Sequence, residues 1–164
     1  MANLTHIFNP QTQLWYPVTV TILDGVATTQ VDDEGGTLAP PAYVPDTGTP
    51  LISTDHYLCF TGLTALPVGV ATWTAFASTV SDDVEDYCHR SWRIREEQVP
   101  LKVMMATALA TRDLLSNKNG TTGMYKSYSG GDYSWTLQDG IEPGDFLAPY
   151  KSLLQASREL TVHA

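Results

Sequence analysis

Two helical apolar stripes follow one another in the second half of this chain and constrain its fold more than any other feature. Over residues 70–90, Trp73, Phe76, Ala77, Val80, Val84, Tyr87 and Cys88 recur three or four positions apart, the spacing of one helix face. Asp82, Asp83, Glu85 and Asp86 fall on the opposite side and read as a solvated acidic face rather than a cation site. Pro100 then suits the first position of a second helix, where its missing N–H is no loss. Leu101, Met104, Met105, Ala108, Leu109, Arg112 and Leu115 trace that helix's stripe, and the run Ser-Asn-Lys-Asn-Gly at 116–120 ends it. Ala106, Ala108 and Ala110 permit close packing on the first helix, and the methionine pair reads as core rather than as a cofactor contact. Residues 91–98, which mix charge with Trp92 and Ile94, form the connection.

Before residue 67 the period is two. Val18, Val20 and Ile22 alternate with Thr19, Thr21 and Leu23, and Asp24-Gly25 is a strong hairpin turn, so residues 14–31 read as two paired strands. Pro17 restricts the first of them to an edge or to the strand's beginning. Residues 32–50 concentrate Gly, Pro, Asp and Thr and read as an extended loop, and residues 51–60 read as a further strand returning to the hairpin. The expected fold is therefore α+β. A small β-rich section, residues 1–67, precedes a mainly helical core of about three helices, residues 68–164.

After the second helix the pattern changes again. Residues 124–137 read as strand, tight turn at Gly130-Gly131-Asp132, and strand. Tyr125, Tyr128, Tyr133 and Trp135 crowd this hairpin beyond what its own interior could bury, which suits a docking element. Covering the two helices within one subunit is the alternative use of the same aromatics. Residues 146–160 read as a closing helix, with Asp145 as cap, Pro149 tolerated in the first turn, and Phe146, Tyr150, Leu153, Leu154 and Leu160 on its apolar side.

Charge narrows the partners. The net charge is −9, and no Lys or Arg occurs before Arg90, so residues 1–89 carry ten acids and no fixed base. A protein that grips duplex DNA displaces counterions with Lys and Arg, and this chain has no basic run, so stable binding to DNA or to an anionic membrane is disfavoured. Residues 57–81 lack charge, but Gly62, Pro67, Gly69 and seven Ser or Thr residues argue for a strand, a turn and a packed helix rather than a membrane span. The first ten residues lack the basic and apolar regions of a secretory signal, so cytosolic synthesis with reduced thiols is expected.

Chemistry finds little purchase. Cys59 and Cys88 belong to no C-x-x-C pair or zinc spacing and read as small core residues. His6, His56, His89 and His163 form no H-x-x-x-H pair, and Cys88 and His89, as helix neighbours, point about 100° apart. Gly130-Gly131 lacks the lysine and the strand-to-helix setting of a phosphate loop. No catalytic residue, metal ligand or cofactor is expected.

From residue 70 onward the order of parts resembles the head-to-tail adaptor (head-tail connector) proteins of long-tailed bacteriophages. The matching features are the helix ending in Tyr87, His89 and Arg90, the alanine-rich helix after Pro100, the segment Ser127, Ser129, Gly131, Asp132 and Ser134, and a closing helix with Leu147 and Tyr150. The resemblance covers about 95 residues. It implies a structural virion protein at the head-tail junction, assembled in the host cytoplasm. Such a protein forms a ring of about twelve copies under the portal, extends the DNA channel and docks a stopper or tail-completion protein below. Genomic DNA passes without specific binding, in keeping with the chain's acidity. The implied contacts are the aromatic hairpin and the closing helix. Adaptors of this type commonly begin near the first helix, so the preceding 65 or so residues are an elaboration expected to face other neck, capsid or tail proteins. A carbohydrate- or receptor-binding β module and a small hydrolase using Cys88 are the other classes left open.

Overall fold

The computed structural model describes residues 6–23, 26–118, 129–130, 133–134 and 145–159. The fold is α+β, with N-terminal strands followed by helices. Strands β1 (His6–Asn9), β2 (Leu14–Leu23) and β3 (Val26–Val31) form an antiparallel sheet in the order β1-β2-β3. Leu23 pairs with Val26, so the β2–β3 connection is the two-residue one that Asp24-Gly25 announces, although those two residues lie outside the described set.

Residues 6–9, and not 51–60, supply the third strand. β1 pairs with the first part of β2, from Leu14 to Pro17, while β3 pairs with the remainder, from Val18 to Leu23. Pro17 sits where the ladder changes partner, and its carbonyl accepts from Asp32 N at 2.9 Å. Beyond Pro17 the sheet continues as a two-stranded ribbon. The chain then loops back so that Thr37 and Trp15 exchange backbone hydrogen bonds of 2.8 Å. Gly36 permits this approach, since a Cβ there would lie 2.9 Å from the Tyr16 ring.

The segment expected to be a strand at 51–60 holds helix α1 (Thr54–Thr61) instead. Its end signals outweigh the apolar run. Ser53 caps it by accepting from His56 N at 3.2 Å, Asp55 lies in the first turn, and Gly62 ends it at φ 68° in the left-handed region. Leu51, Ile52 and Tyr57 are fully buried in the same core as α2 and α4, so the helical packing begins well before residue 67. Ser81 ties this segment to α2: its hydroxyl accepts from Leu51 N at 2.9 Å and donates to the Ala77 carbonyl at 2.6 Å.

Helix α2 (Val70–Cys88) buries Trp73, Phe76, Ala77, Val80, Val84 and Cys88 as its stripe predicts, with Tyr87 half-buried. A short helix α3 (Trp92–Arg95) occupies the connection and buries Trp92. Helix α4 (Leu101–Lys118) departs from the one-sided stripe. Leu101 is exposed, whereas Val103, Ala106, Thr107, Ala110, Thr111 and Leu114 are fully buried alongside Ala108. The reason is that α4 packs against α1, α2 and the closing segment, so nearly every side of it faces protein. Thr107 and Thr111 satisfy their hydroxyls on the carbonyls of Val103 and Thr107, at 2.9 and 2.7 Å.

Strands β4 (Ser129–Gly130) and β5 (Tyr133–Ser134) pair antiparallel and lie within the expected hairpin, with β4 close to α2. The closing segment is more broken than the single helix expected at 146–160. A 3₁₀ turn (Asp145–Tyr150), helix α5 (Lys151–Leu154) and a second 3₁₀ turn (Gln155–Ser157) follow one another. Pro149 lies inside the first turn, which is consistent with a tighter geometry than a continuous α-helix. Among the described residues no helix is long and apolar enough to cross a membrane.

Candidate interaction surface

The C-terminal end of α2 gathers four of the chain's five arginines, Arg90, Arg93, Arg95 and Arg158. His89 closes the helix in the left-handed region, φ 53°, with His89 N donating to Asp86 O and Arg90 N to Glu85 O, a helix-ending motif that usually takes glycine. The tight turn brings α3 back against α2. Arg93 then reaches Glu85 through Nε at 3.0 Å and Nη2 at 2.7 Å, while the backbone N–H of Arg93 donates to the other carboxylate oxygen at 3.1 Å. Glu85, expected on a solvated acidic face, is therefore buried, because Arg93 and a backbone donor neutralise it there. Asp82 also pairs with Arg93 but stays exposed.

Asp83 gains no such cation. Partial burial, reinforced by the charges of Asp82 and Asp86, pushes its carboxyl up to about 6. An open cavity of about 610 Å³ lies beside this corner, lined by Asp82, Glu85, Asp86, Arg93, Ile94 and Arg95, among others.

The closing segment folds back over the same corner. Leu147 and Leu154 are buried in the core, and the Tyr150 hydroxyl donates to Asp113 on α4. Burial and the Asp113 charge push the Tyr150 phenol up to about 12, so it remains a donor at neutral pH. Lys151 and Arg158 lie over the Tyr87 ring at 5.7 and 5.2 Å. Glu159 N donates to the Cys88 carbonyl at 2.8 Å, and its carboxylate pairs with Arg95 at 2.8 Å.

Of the expected contact residues, Tyr150 and Leu153 are half-buried against the core, and Leu154 is fully buried inside it and so unavailable to a neighbour. Phe146 and Tyr133 are placed by their backbone alone, in the 3₁₀ turn and in β5. Tyr125, Tyr128, Trp135 and Leu160 lie outside the described residues. The sequence reading missed the Glu85–Arg93 pair. Its only signal was an Arg-rich connection following an acidic helix, which does not say which acid turns inward.

A second exposed feature lies at the other end of the chain. Every residue of β3 is exposed, although the alternation in β2 anticipates one buried face. The sheet's inner side is pinned at its base only. Phe8 and Trp15 stack at 5.1 Å, Trp15 and His56 at 4.7 Å, and Phe8 N donates to Asp55 at 3.1 Å. His56 is the hub of this joint. Its Nε2–H donates to the Pro41 carbonyl at 3.1 Å, so its Nδ1 is the acceptor for the Ser53 hydroxyl at 2.7 Å. Burial lowers its pKa, against the opposing pull of the Pro41 carbonyl and Asp55.

Burial pushes the Cys88 thiol up to about 11 and raises Cys59 as well, the opposite of what a nucleophilic thiolate requires. Among the described residues no three His, Cys, Asp or Glu side chains converge on a metal-binding geometry. Compared with known proteins, the chain matches no family model, no curated protein and no solved structure.

Proposed function

We propose that this protein is a structural component of a bacteriophage neck, a head-to-tail adaptor that forms a ring beneath the portal and extends the DNA channel. The observation that carries the reading is the corner where the closing segment returns over the end of α2. Tyr87, His89 and Arg90, the residues of the family-like cluster, meet Arg158 and Glu159 there. A short strand pair, Ser129–Gly130 with Tyr133–Ser134, lies between α4 and that segment, within the stretch that carries the Ser- and Gly-rich likeness. The raised Cys88 thiol weighs against the hydrolase alternative. The acidity of the chain suits a conduit, because like charge repels phosphate and lets DNA slide.

Trp135→Ala tests the reading. If the aromatic hairpin anchors a neighbour, the variant loses a contact of about 2 kcal/mol per interface and fails to assemble on its portal while circular dichroism and thermal unfolding stay unchanged. Unfolding of the isolated variant would place the aromatics in the subunit's own core, and full assembly would place docking elsewhere. The exposed ribbon favours a second reading for the N-terminal section alone, a carbohydrate- or receptor-binding module, which a glycan screen of the full chain addresses.

A further inference from the structure

The outer face of the N-terminal sheet holds an open groove of about 540 Å³ whose walls combine apolar side chains with one carboxylate. Ile7 stands opposite Tyr16 and Val18 opposite Val31, so Ile7, Tyr16 and Val31 share this face by the two-residue strand period. Asn9, Pro10 and Asp33 join them in lining the groove. Ile7 and Val31 remain 38% and 36% exposed, and Tyr16 is half-buried.

The polar groups of the groove differ in what they have left to offer. The Tyr16 hydroxyl donates to Thr12 Oγ1 at 3.2 Å, and Asn9 Oδ1 accepts from Gln11 N and Thr12 N at 2.9 and 3.4 Å. The Asp33 carboxylate has no donor or cation among the described residues, and it lies exposed between the exposed Asp32 and Glu34. No Lys or Arg occurs before Arg90 to offset these acids. Aliphatic and aromatic walls that lead to an unneutralised carboxylate match one kind of side chain, a long hydrocarbon stem ending in a cation. A sugar, which needs several free hydrogen-bonding groups, suits them less.

A second copy of the chain is a poor source of that cation. Arg90, Arg93, Arg95 and Arg112 are each paired with a carboxylate of their own chain, and Lys151 and Arg158 lie over the Tyr87 ring. Among the described side chains, Lys102 alone is a cation without a partner, and it cannot balance a row of acids. We infer that the groove is a docking site for a basic, extended segment of a different protein, which lays a lysine or arginine stem along Ile7, Tyr16 and Val31 and sets its charge beside Asp33. The contact belongs to the N-terminal section and stands apart from the ring reading.

Amide resonances of the isotope-labelled full chain, followed by NMR, test this with an end-blocked peptide of alternating lysine and threonine. The peptide should shift the amides of Ile7, Tyr16, Val31 and Asp33, and Asp33→Asn, a change at an exposed loop position, should weaken binding by up to about fivefold. Replacing each lysine by diaminobutyric acid keeps the charge and shortens the stem, and that peptide should bind the wild type about fivefold more weakly. Equal binding of the two peptides would reduce the effect to diffuse charge attraction and overturn the inference. So would the absence of shifts at these amides with the lysine peptide, or stronger shifts there from neutral oligosaccharides. Shifts of the same amides that grow with protein concentration alone and vanish in Lys102→Glu would make the occupant a second copy, which also overturns it.

Discussion

Arg93 grips Glu85 with two side-chain hydrogen bonds of 2.7 and 3.0 Å to one carboxylate oxygen, across the turn that reverses the chain between α2 and α3. Both side chains are nearly buried, at 13% and 10% exposure. Removing Arg93 leaves the buried Glu85 as an uncompensated charge, whereas Arg93 itself also has Asp82, so Arg93→Ala should destabilise the fold by about 3 kcal/mol. The double change Glu85→Leu, Arg93→Met should lose much less, since it removes both charges together. Urea unfolding of the three proteins decides this. Equal losses in the single and double variants would mean that the pair does not hold the corner.

His56 makes the joint between sheet and α1 sensitive to acid. Its folded pKa lies below its ordinary value, so the unfolded chain takes up the proton first and protonation favours unfolding. Stability from this group is full above about pH 6.5 and declines as pH falls, by at most about 1.4 kcal/mol per pH unit. His56→Gln should flatten that decline in thermal melts taken between pH 7.5 and 5. An unchanged slope would show that another group governs it.

Asp83 acts with the opposite sign. Its carboxyl is held at about 6, above its ordinary value, so the folded protein suffers from its charge above pH 6 and is relieved as pH falls toward 4. Asp83→Asn should therefore raise stability at pH 7 by on the order of 1 kcal/mol, after allowance for solvent screening, and the gain should vanish near pH 4. A gain independent of pH would point to helix propensity instead.

Leu154→Ala addresses the closing segment. Because Leu154 is fully buried, its truncation should destabilise the isolated subunit by about 2 to 4 kcal/mol. Deleting residues 146–164 would also remove Leu147 from the core, so exposed positions of α5 such as Ser152 are the sites at which to probe docking without damaging the fold. A Leu154→Ala variant of wild-type stability would mean that this segment is not packed as described.

The parts legible in the sequence were those where one period ran long enough to dominate. The α2 stripe from Trp73 to Cys88 and the β2–β3 register around Asp24-Gly25 are of this kind. Helix α1 was missed because Leu51, Ile52, Tyr57 and Leu58 resemble a buried strand in so short a run, and its real signals, Ser53 and Gly62, lie at the two ends. The all-round burial of α4 was hidden by Thr107 and Thr111, whose hydroxyls bond to the helix's own carbonyls and so enter the core without a partner elsewhere. The corner site was half legible. Tyr87, His89 and Arg90 were singled out, but Glu85 turning inward to Arg93 depends on a chain reversal at His89 that no pairwise spacing encodes.

A neck conduit must also release what passes through it. Titration of the protein with duplex DNA at about 50 mM salt, where nonspecific binding is strongest, should show negligible affinity. Micromolar binding that collapses on adding salt would mean a basic surface that the net charge of −9 conceals.

The adaptor reading is tested most directly by counting subunits. Native mass spectrometry of the protein assembled with its portal, supported by particle imaging of the same complex, should give a closed ring of about twelve copies seated at one end of the portal. A stable dimer that forms without the portal and ignores it when added would contradict the account.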